Sequence, residues 1–275
     1  MPLSEKQGVG SSILPMATKM LKKINQLLIN YSTFFFIRKK TFLELFNRAN
    51  HVEKKYSQLF NSIEQLIKLD LDSEIYKFVW SNKEKSKSQS YQDLIAYYIL
   101  KKYYGDNLSK NFIEVGAYDG VLYSNTFYLE KVHNFKGVCV EPSGDIFSEL
   151  NKNRSSINLQ AFVTNKKQDS VIIELKGMHT TIAKNSKSSN LQSVKCITLD
   201  TIIAEFFNPN EDIDFCSIDT EGTELEVLKS LNINKYNIKL FCIENNNQSV
   251  NKFLSDKGYK CLNKNTNSHD NWFIK

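Results

Sequence analysis

A glycine loop and the carboxylate that follows it are the part of this sequence that most clearly predicts a chemical function. Residues 112–120 read FIEVGAYDG, which is typical of a buried strand that ends in a loop bracketed by glycines. Glu141 follows about twenty positions later, at the end of a second apolar run. A strand, a glycine loop, a helix and a carboxylate at the next strand's tip form a site for an adenosine-containing cofactor, because the backbone can approach the ligand and the carboxylate can accept both ribose hydroxyls.

The spacing within the loop distinguishes between cofactors. A dinucleotide site has the pattern G-x-G-x-x-G, with helix-terminal N–H groups facing a pyrophosphate. Residues 114–120 instead give E-x-G-x-x-x-G, with Asp119 inside the loop. An acidic loop repels phosphate and suits a ligand that carries an ammonium and a sulfonium group. The loop therefore favours S-adenosylmethionine over NAD, and the alternative is a tight strand-to-helix turn in another α/β protein.

A second group of polar residues lies at two later strand ends. The predicted strand 213–219 ends in SIDTEG, which places Asp219 and Glu221 where open α/β sheets bind ligands. The predicted strand 238–244 ends in Glu244, followed by Asn245. Oxygen ligands on neighbouring strand tips suit Mg²⁺, so we predict a metal site at Asp219, Glu244 and Asn245. The alternatives are helix capping by the carboxylates and contacts from Glu244 to substrate hydroxyls.

Histidine could supply the base that a transfer reaction needs. His179 lies in the polar stretch 177–181, between two strand-like runs, in a loop that could reach the cleft. Imidazole titrates near neutral pH, which suits a general base. We therefore predict His179, Asp219 and Glu221 as catalytic residues. An exposed loop histidine is the alternative, and His269 is a second candidate.

The composition is that of a soluble globular protein. The chain has 275 residues, of which 41% are hydrophobic and 24% charged, and its formal net charge is +6. The charge is spread along the sequence, which suits acidic small ligands such as nucleotide-linked sugars and argues against nucleic acid. The five cysteines show no C-x-x-C spacing, so we expect packed thiols in a reducing, cytoplasmic compartment.

The segment before residue 80 is predicted to be mainly helical. It shows no secretory signal, and residues 17–79 repeat apolar side chains at helical spacing. The apolar run 27–37 is too short to span a bilayer, although its basic flanks could hold it on a membrane surface. The alternative is packing on the main domain or on a second subunit, and the exposed arm favours a homodimer. Residues 81–90, rich in lysine and serine, predict a linker.

From residue 92 onward, helical and strand-like segments alternate. This alternation predicts an α/β protein with a mostly parallel sheet that is covered by helices on both faces. The last two strands leave no room for a helix between them, so they should form a C-terminal antiparallel hairpin. The predicted strands are 111–116, 137–141, 157–163, 171–175, 194–198, 213–219, 238–244, 258–262 and 271–275, and the predicted helices are 92–104, 124–133, 144–153, 199–207, 222–231 and 248–256.

Together these segments resemble the FkbM family of class I S-adenosylmethionine-dependent methyltransferases over residues 88–275. The matching segments keep the order and spacing of the family. They are SQSYQD at 88–93, IEVGAYDG at 113–120, SNT at 124–126, LE at 129–130, VEP at 140–142, NR at 153–154, IDTEGTE at 218–224 and NWF at 271–273.

The resemblance implies a Rossmann-like sheet of seven strands and S-adenosylmethionine as the cofactor. It divides the chain into an N-terminal helical arm or cap, residues 1–87, and a methyltransferase domain, residues 88–275. The predicted cofactor contacts are Glu114, Gly116, Tyr118, Asp119, Asn125, Glu141, Pro142, Phe162 and Val163. The predicted substrate contacts are Tyr91, Gln92, Glu244 and Asn245.

The resemblance also implies O-methylation of a sugar hydroxyl. We predict a nucleotide-linked sugar, or a sugar of a capsule polysaccharide or lipopolysaccharide, as the acceptor. Two alternatives stay open. A nucleic-acid methyltransferase would be expected to carry an aromatic-proline motif after strand 213–219, where this chain has Thr-Glu-Gly. A non-catalytic S-adenosylmethionine-binding protein would be expected to lose the glycine loop or Glu141, and both are present.

Overall fold

The structure, a computed structural model, describes Leu69 and residues 71–72, 74–175, 180–183, 190–244, 248–263 and 270–275. The predictions for residues 1–68, including the membrane-surface segment and the dimer contact, lie outside the described residues. The same holds for His179, Asn245 and His269. Where the N-terminal arm ends and the sheet domain begins stays a prediction. No described helix has the length and the apolar content needed to span a bilayer.

Strands and helices alternate along the described chain. The strands are β1 (Asn111–Val115), β2 (Lys136–Val140), β3 (Ile157–Leu159), β4 (Phe162–Val163), β5 (Ser170–Glu174), β6 (Thr181–Ile182), β7 (Leu191–Ile197), β8 (Ile213–Ile218), β9 (Ile238–Glu244), β10 (Lys260–Cys261) and β11 (Asp270–Ile274). The helices are α1 (Glu74–Asn82), α2 (Gln92–Tyr104), α3 (Phe127–His133), α4 (Gly144–Asn153), α5 (Leu199–Phe206), α6 (Glu224–Lys229) and α7 (Gln248–Ser255).

The larger of two sheets has the strand order β10-β11-β9-β8-β1-β2-β3. Strands β1, β2, β3, β8 and β9 run parallel, so their carboxyl ends meet along one edge. Strand β11 pairs antiparallel with β9, and β10 pairs antiparallel with β11. The prediction of an α/β protein with a mostly parallel sheet is confirmed.

A second, four-stranded sheet has the order β4-β7-β5-β6. The sequence predicted one strand over 157–163, and this is wrong because β3 pairs with β2 in the large sheet whereas β4 pairs with β7 in the small one. Apolar runs of this length do not reveal where a chain leaves one sheet for another. The separate sheet brings β4 to the same edge as the ends of β1 and β2.

The large sheet is buried on both faces. Neighbouring residues of a strand point to opposite faces, and here they enter two different hydrophobic clusters. Ile113 and Cys216 belong to the cluster that packs against α5, α6 and α7, whereas Phe112 and Phe215 belong to the cluster that packs against α1, α2 and α3. Burial of each such apolar side chain contributes about 1.5–3 kcal/mol. This double layer fixes the strand ends that carry the polar residues.

The segment before α2 packs against the sheet domain. Leu69, Ile75 and Val79 are buried in the same cluster as the apolar face of α2. The linker predicted at 81–90 is wrong: α1 and a short 3₁₀ turn continue to residue 85. Beyond that turn, the buried Asp93 carboxylate accepts hydrogen bonds from the Ser86 and Ser88 hydroxyls (2.5 and 2.8 Å) and from the Lys87 amide (3.1 Å). The polar composition of residues 81–90 was therefore a poor guide, because the buried Asp93 carboxylate holds residues 86–88 in place.

Candidate active site

A cavity of about 300 Å³ opens at the carboxyl ends of the parallel strands β1, β2, β8 and β9. Open α/β sheets bind their ligands at this edge. Six of the nine predicted cofactor contacts line it, two each from the end of β1, the end of β2 and β4. The lining residues include Gly116, Tyr118, Glu141, Pro142, Phe162, Val163, Asp219, Glu221 and Glu244, together with Gln89, Leu122, Tyr123, Ala161, Thr180 and Thr223.

Gly116 directly follows β1 and lines the cavity, and its position requires glycine. Its φ is +87°, and a Cβ atom there would lie 1.8 Å from the Asp219 carbonyl oxygen. The amides of Gly116 and Ala117 both donate to the Val140 carbonyl (3.0 Å each), and the Asp219 amide donates to the Val115 carbonyl (3.0 Å). The three strand tips are therefore held so close together that only a residue without a side chain fits.

The loop after Gly116 is built from its own polar groups. Tyr118 and Gly120 both have positive φ angles, +49° and +77°. The Asp119 carboxylate accepts hydrogen bonds from the amides of Val121 (2.8 Å) and Leu122 (2.7 Å). Asp119 therefore shapes the loop from within and does not line the cavity. Its direct contact with a cofactor stays a prediction that these contacts do not support.

Glu114 is buried beneath the loop, where its carboxylate serves as an anchor. It accepts hydrogen bonds from the Asn125 amide (2.5 Å) and from the Ser124 and Thr126 hydroxyls (2.9 and 2.5 Å). The Arg154 guanidinium lies 3.3 Å away and is itself fully buried. Glu114 does not line the cavity. The structure shows it fixing the start of α3, and its contact with a cofactor stays a prediction.

Asn125 also turns away from the cavity wall. Its Nδ2 donates to the Ser217 hydroxyl on β8 (3.0 Å). Its Oδ1 is buried and has no hydrogen-bond partner among the described residues. The side chain thus connects the beginning of α3 with β8, directly behind the strand tip that carries Asp219.

Glu141 faces the cavity from the end of β2. Its two oxygens accept hydrogen bonds from the amides of Tyr118 (3.1 Å) and Ser143 (2.9 Å). Burial raises the pKa of this carboxyl to about 7, although both amides oppose the rise by stabilising the charged form. A buried carboxylate at this strand tip, beside the glycine loop, fits the two hydroxyls of a ribose.

The wall beside Glu141 is apolar. Pro142 follows the carboxylate directly, and Ala161, Phe162 and Val163 approach from β4 and the residue before it. Ala161, Phe162 and Val163 are buried, and Pro142 is half-buried. A flat, apolar slot next to a carboxylate has the character that an adenine base and its ribose require, because binding pockets pair apolar walls with few polar groups.

Three carboxylates from the ends of β8 and β9 and the turn after β8 also line the cavity. Oxygen atoms of Asp219, Glu221 and Glu244 all lie within 4.8 Å of one another. The Asp219 carboxyl shares a hydrogen bond with Glu244, from the neighbouring strand β9. Burial raises the pKa of Asp219 well above its usual range, and the hydrogen bond and charge of Glu244 raise it further, with smaller contributions from Asp270 and Glu221. Each carboxylate disfavours ionisation of the other at this distance, which is the physical cause of the raised pKa.

The other acidic residue of this turn has a capping role. The buried Glu224 carboxylate accepts hydrogen bonds from the amides of Gly222 (2.7 Å) and Thr220 (3.3 Å). It therefore stabilises the turn that precedes α6 and leaves Asp219 and Glu221 to face the cavity.

The predicted substrate contacts lie in different places. Gln92 is buried, and it donates from Nε2 to Asp270 (2.9 Å) and accepts the Ser90 amide at Oε1 (2.7 Å), so it ties the start of α2 to β11. Tyr91 is the N-cap residue that precedes α2; its φ is +63°, and it does not line the cavity. Gln89, two residues earlier, does line it. Sequence reasoning missed Gln89 because the motif SQSYQD does not show which of its polar side chains faces inward.

The residues predicted as catalytic are only partly described. Asp219 and Glu221 lie together on the cavity wall as predicted, and their roles stay predictions. His179 lies outside the described residues, as does the predicted metal ligand Asn245. The carboxylate set that the structure brings together, Asp219, Glu221 and Glu244, differs from the predicted metal set by Glu221 in place of Asn245.

The chain shows distant similarity to several solved structures. They include the "delta-N METTL16 MTase domain" (13% identity, TM-score 0.38, covering 66% of this chain and 80% of that one). A "Human methyltransferase 10 domain containing protein" gives 14% identity and a TM-score of 0.37, with 67% and 80% covered. The "hMettl16 catalytic domain in complex with MAT2A 3'UTR hairpin 6" gives 11% identity and a TM-score of 0.33, with 67% and 69% covered. These distant similarities assign no substrate.

No curated protein matches the chain significantly. A sequence model of the methyltransferase FkbM domain matches residues 114–261, which is more than half of the chain. The match begins at Glu114 and includes the glycine loop, Glu141 and the carboxylates Asp219 and Glu244. The chain therefore belongs to the FkbM family of S-adenosylmethionine-dependent methyltransferases.

Proposed function

We propose that this protein transfers a methyl group from S-adenosylmethionine to a sugar hydroxyl. The observation that carries the proposal is the hydrogen-bonded pair Asp219 and Glu244, which shares one cavity with the glycine loop and Glu141. A hydroxyl is a poor nucleophile until its proton is removed, so an O-methyltransferase needs a base at the acceptor end of the site. The carboxyl pair is placed to be that base.

The cofactor end of the cavity is formed by the residues nearest Glu141. Gly116 and Tyr118 would let the backbone approach the ligand, Glu141 would accept the ribose hydroxyls, and Phe162 and Val163 would flank the adenine. The cofactor, when bound, supplies an electrophilic methyl group. The protein's own contribution is to hold that ligand and the acceptor oxygen in line and to exclude water between them, which is a large part of catalysis in such transfers.

The acceptor end removes a proton from the hydroxyl. In our proposal the acceptor O–H donates to an ionised oxygen of the Asp219–Glu244 pair, which takes the proton as the oxygen becomes nucleophilic. Positioned base catalysis of this kind contributes roughly a hundred- to ten-thousandfold in rate. The nearby negative charges of Glu221 and Asp270 favour neutral hydroxyls over phosphate at this end, so the phosphates of a nucleotide-linked acceptor would have to lie outside it.

Two further assignments compete for the same step. The carboxylates Asp219, Glu221 and Glu244 offer oxygen ligands at a spacing that could hold Mg²⁺, and a bound cation would lower the pKa of the hydroxyl in place of a base. His179, which lies outside the described residues, is the other predicted base. A cation predicts loss of turnover with a chelator, whereas His179 predicts a rate that follows an imidazole near pH 6.5.

The test is mass spectrometry on a panel of acceptors incubated with S-adenosylmethionine. The panel contains nucleotide sugars, neutral oligosaccharides and a structured RNA, each with and without EDTA. The enzymes are wild type, the double variant Asp219→Asn with Glu244→Gln, His179→Ala and Glu205→Gln. Glu205 is an exposed carboxylate on α5, away from the cavity, so its replacement controls for the loss of one charge. We expect methylation of one sugar class, at least a hundredfold loss in the double variant Asp219→Asn with Glu244→Gln, which removes both carboxyl groups of the pair, and wild-type rates in Glu205→Gln.

Other outcomes would contradict the proposal at defined points. Methylation of the RNA alone would replace the sugar by nucleic acid as the acceptor. Wild-type turnover in the double variant Asp219→Asn with Glu244→Gln would exclude the carboxyl pair as the base, and a large loss in His179→Ala would then assign that role to the histidine. Loss of all turnover with EDTA, restored by added Mg²⁺, would favour the metal assignment.

A further inference from the structure

The glycine loop is connected to both ends of one helix. Loop 116–123 supplies several residues of the cavity wall. Helix α4 begins directly after Glu141, Pro142 and Ser143, and it ends at Asn153, directly before Arg154. At the N-terminal end, the Tyr118 amide donates to Glu141 (3.1 Å). Contacts at the C-terminal end hold the next two residues of the loop.

Two side chains at this C-terminal end hold consecutive carbonyl groups. Asn153 Nδ2 donates to the Asp119 carbonyl (2.8 Å), and Arg154 Nη1 donates to the Gly120 carbonyl (3.2 Å). The approach is close, because a Cβ atom on Gly120 would lie 2.5 Å from Arg154 Cγ and 2.6 Å from Leu150 Cδ1. The loop is thus pressed against the end of α4, with its carbonyl oxygens directed at two donors.

Arg154 also connects the loop to the buried layer beneath it. Its guanidinium donates to the hydroxyls of Ser124 (2.9 Å) and Thr126 (2.8 Å) and to Glu130 (2.7 Å), and the side chain is fully buried. Arginine suits this position because its planar guanidinium can donate in several fixed directions at once. Arg154 is therefore essential to the local fold, whereas Asn153 is exposed and contributes a single bond to the loop.

The loop needs such support because its backbone is unfavourable by itself. Four of its residues, Gly116, Tyr118, Gly120 and Tyr123, have positive φ angles, and this region of backbone conformation is unfavourable for the two tyrosines. If the hydroxyls of a ribose bind to Glu141, the hydrogen bond from the Tyr118 amide competes with the ligand for the same carboxylate. The contacts from Asn153 and Arg154 go to the carbonyls of Asp119 and Gly120 and do not involve Glu141, so they do not compete with the ligand.

We propose that Asn153 and Arg154 are positioning residues, which hold the loop 116–123 in the conformation that binds the cofactor. The proposal rests on the cofactor assignment and is independent of the acceptor. Asn153 is its sharper test, because the asparagine is exposed and its replacement by alanine favours the helix. A loss of cofactor affinity in that variant would come from the loop and not from unfolding.

The experiment measures binding of S-adenosylhomocysteine by calorimetry for wild type, Asn153→Ala, Asn153→Asp and the control Asn151→Ala. Asn151 is an exposed residue of the same helix, so the control makes the same substitution away from the loop. Loss of one hydrogen bond predicts a Kd that rises about three- to tenfold in Asn153→Ala. Asn153→Asp keeps the size but places a carboxylate against a carbonyl, and it should bind at least as weakly.

Two further readouts separate positioning from general stability. The melting temperature of Asn153→Ala should stay within about 2 °C of wild type, and hydrogen exchange should accelerate in peptides covering 117–122 and not in β1. A Kd for Asn153→Ala equal to that of Asn151→Ala, or unchanged loop exchange, overturns the proposal. A wild-type protein that does not bind S-adenosylhomocysteine overturns the cofactor assignment and this proposal together, whatever the acceptor is.

Discussion

Replacing Asp219 by asparagine should stabilise the protein at neutral pH and have little effect at pH 4. In the folded protein, burial and the Glu244 carboxylate raise the pKa of Asp219, with Asp270 and Glu221 adding to the effect. In the unfolded chain an aspartate titrates near pH 3.9. The folded state therefore binds this proton more tightly, so wild-type stability is highest below the unfolded pKa and falls as pH rises toward the folded pKa. Asparagine does not titrate, and its amide can donate to Glu244 as a protonated Asp219 does.

The size of the effect follows from the pH window. Between the unfolded pKa and pH 7, each pH unit costs the wild type up to about 1.4 kcal/mol, which gives an upper limit of roughly 4 kcal/mol. Protein atoms surround most of the Asp219 carboxyl, yet solvent reaches it through the cavity. We therefore halve the limit to about 2 kcal/mol. For a domain of this size that corresponds to a rise of about 4–8 °C in Tm.

The assay is thermal unfolding of wild type, Asp219→Asn and Glu205→Gln at several pH values from 4 to 8. We expect the Tm difference between Asp219→Asn and wild type to grow steadily with pH, and Glu205→Gln to follow wild type throughout. A gain that is the same at pH 5 and pH 8 would mean that no proton is linked to folding at this site. A Tm below wild type at neutral pH would refute the reasoning outright.

Three other replacements probe separate parts of the site. Gly116→Ala should abolish S-adenosylhomocysteine binding, measured by calorimetry, or prevent folding, measured by circular dichroism. The control is Gly258→Ala, because Gly258 has nearly the same φ (+85° against +87°) but open space where the Cβ would lie. This control should suffer only the backbone strain and should still fold and bind. Glu141→Gln should weaken S-adenosylhomocysteine binding at least tenfold. The affinity of the wild type should rise as pH increases through about 7, because only the ionised carboxylate accepts both ribose hydroxyls without a competing proton, and Glu141→Gln should lack this rise. Gln89→Ala should raise the KM for the sugar acceptor severalfold and leave the Kd for S-adenosylhomocysteine unchanged; a change in that Kd instead would assign Gln89 to the cofactor.

Local sequence patterns were sufficient to predict the fold class and the order of most strands and helices. Alternating apolar runs predicted the mostly parallel sheet, since strand and helix periodicities are properties of a few neighbouring residues. The glycine loop and Glu141 could be placed at one edge because the carboxyl ends of parallel strands meet there. Gly116 shows the limit of this inference, since the sequence indicated a glycine turn and only the structure revealed the Asp219 carbonyl that excludes a side chain.

Tertiary structure decided which polar side chains face the cavity. Glu114 belongs to the most informative motif, yet it is buried against Arg154, forty residues away in sequence, so its partner is visible only after folding. Gln89 reaches the cavity because the buried Asp93 holds the segment before it. The raised pKa of Asp219 likewise depends, beyond burial, on a neighbour, Glu244, that a parallel crossover brings alongside. A sequence specifies which residues end the strands, whereas burial and contacts between distant segments set their protonation and their direction.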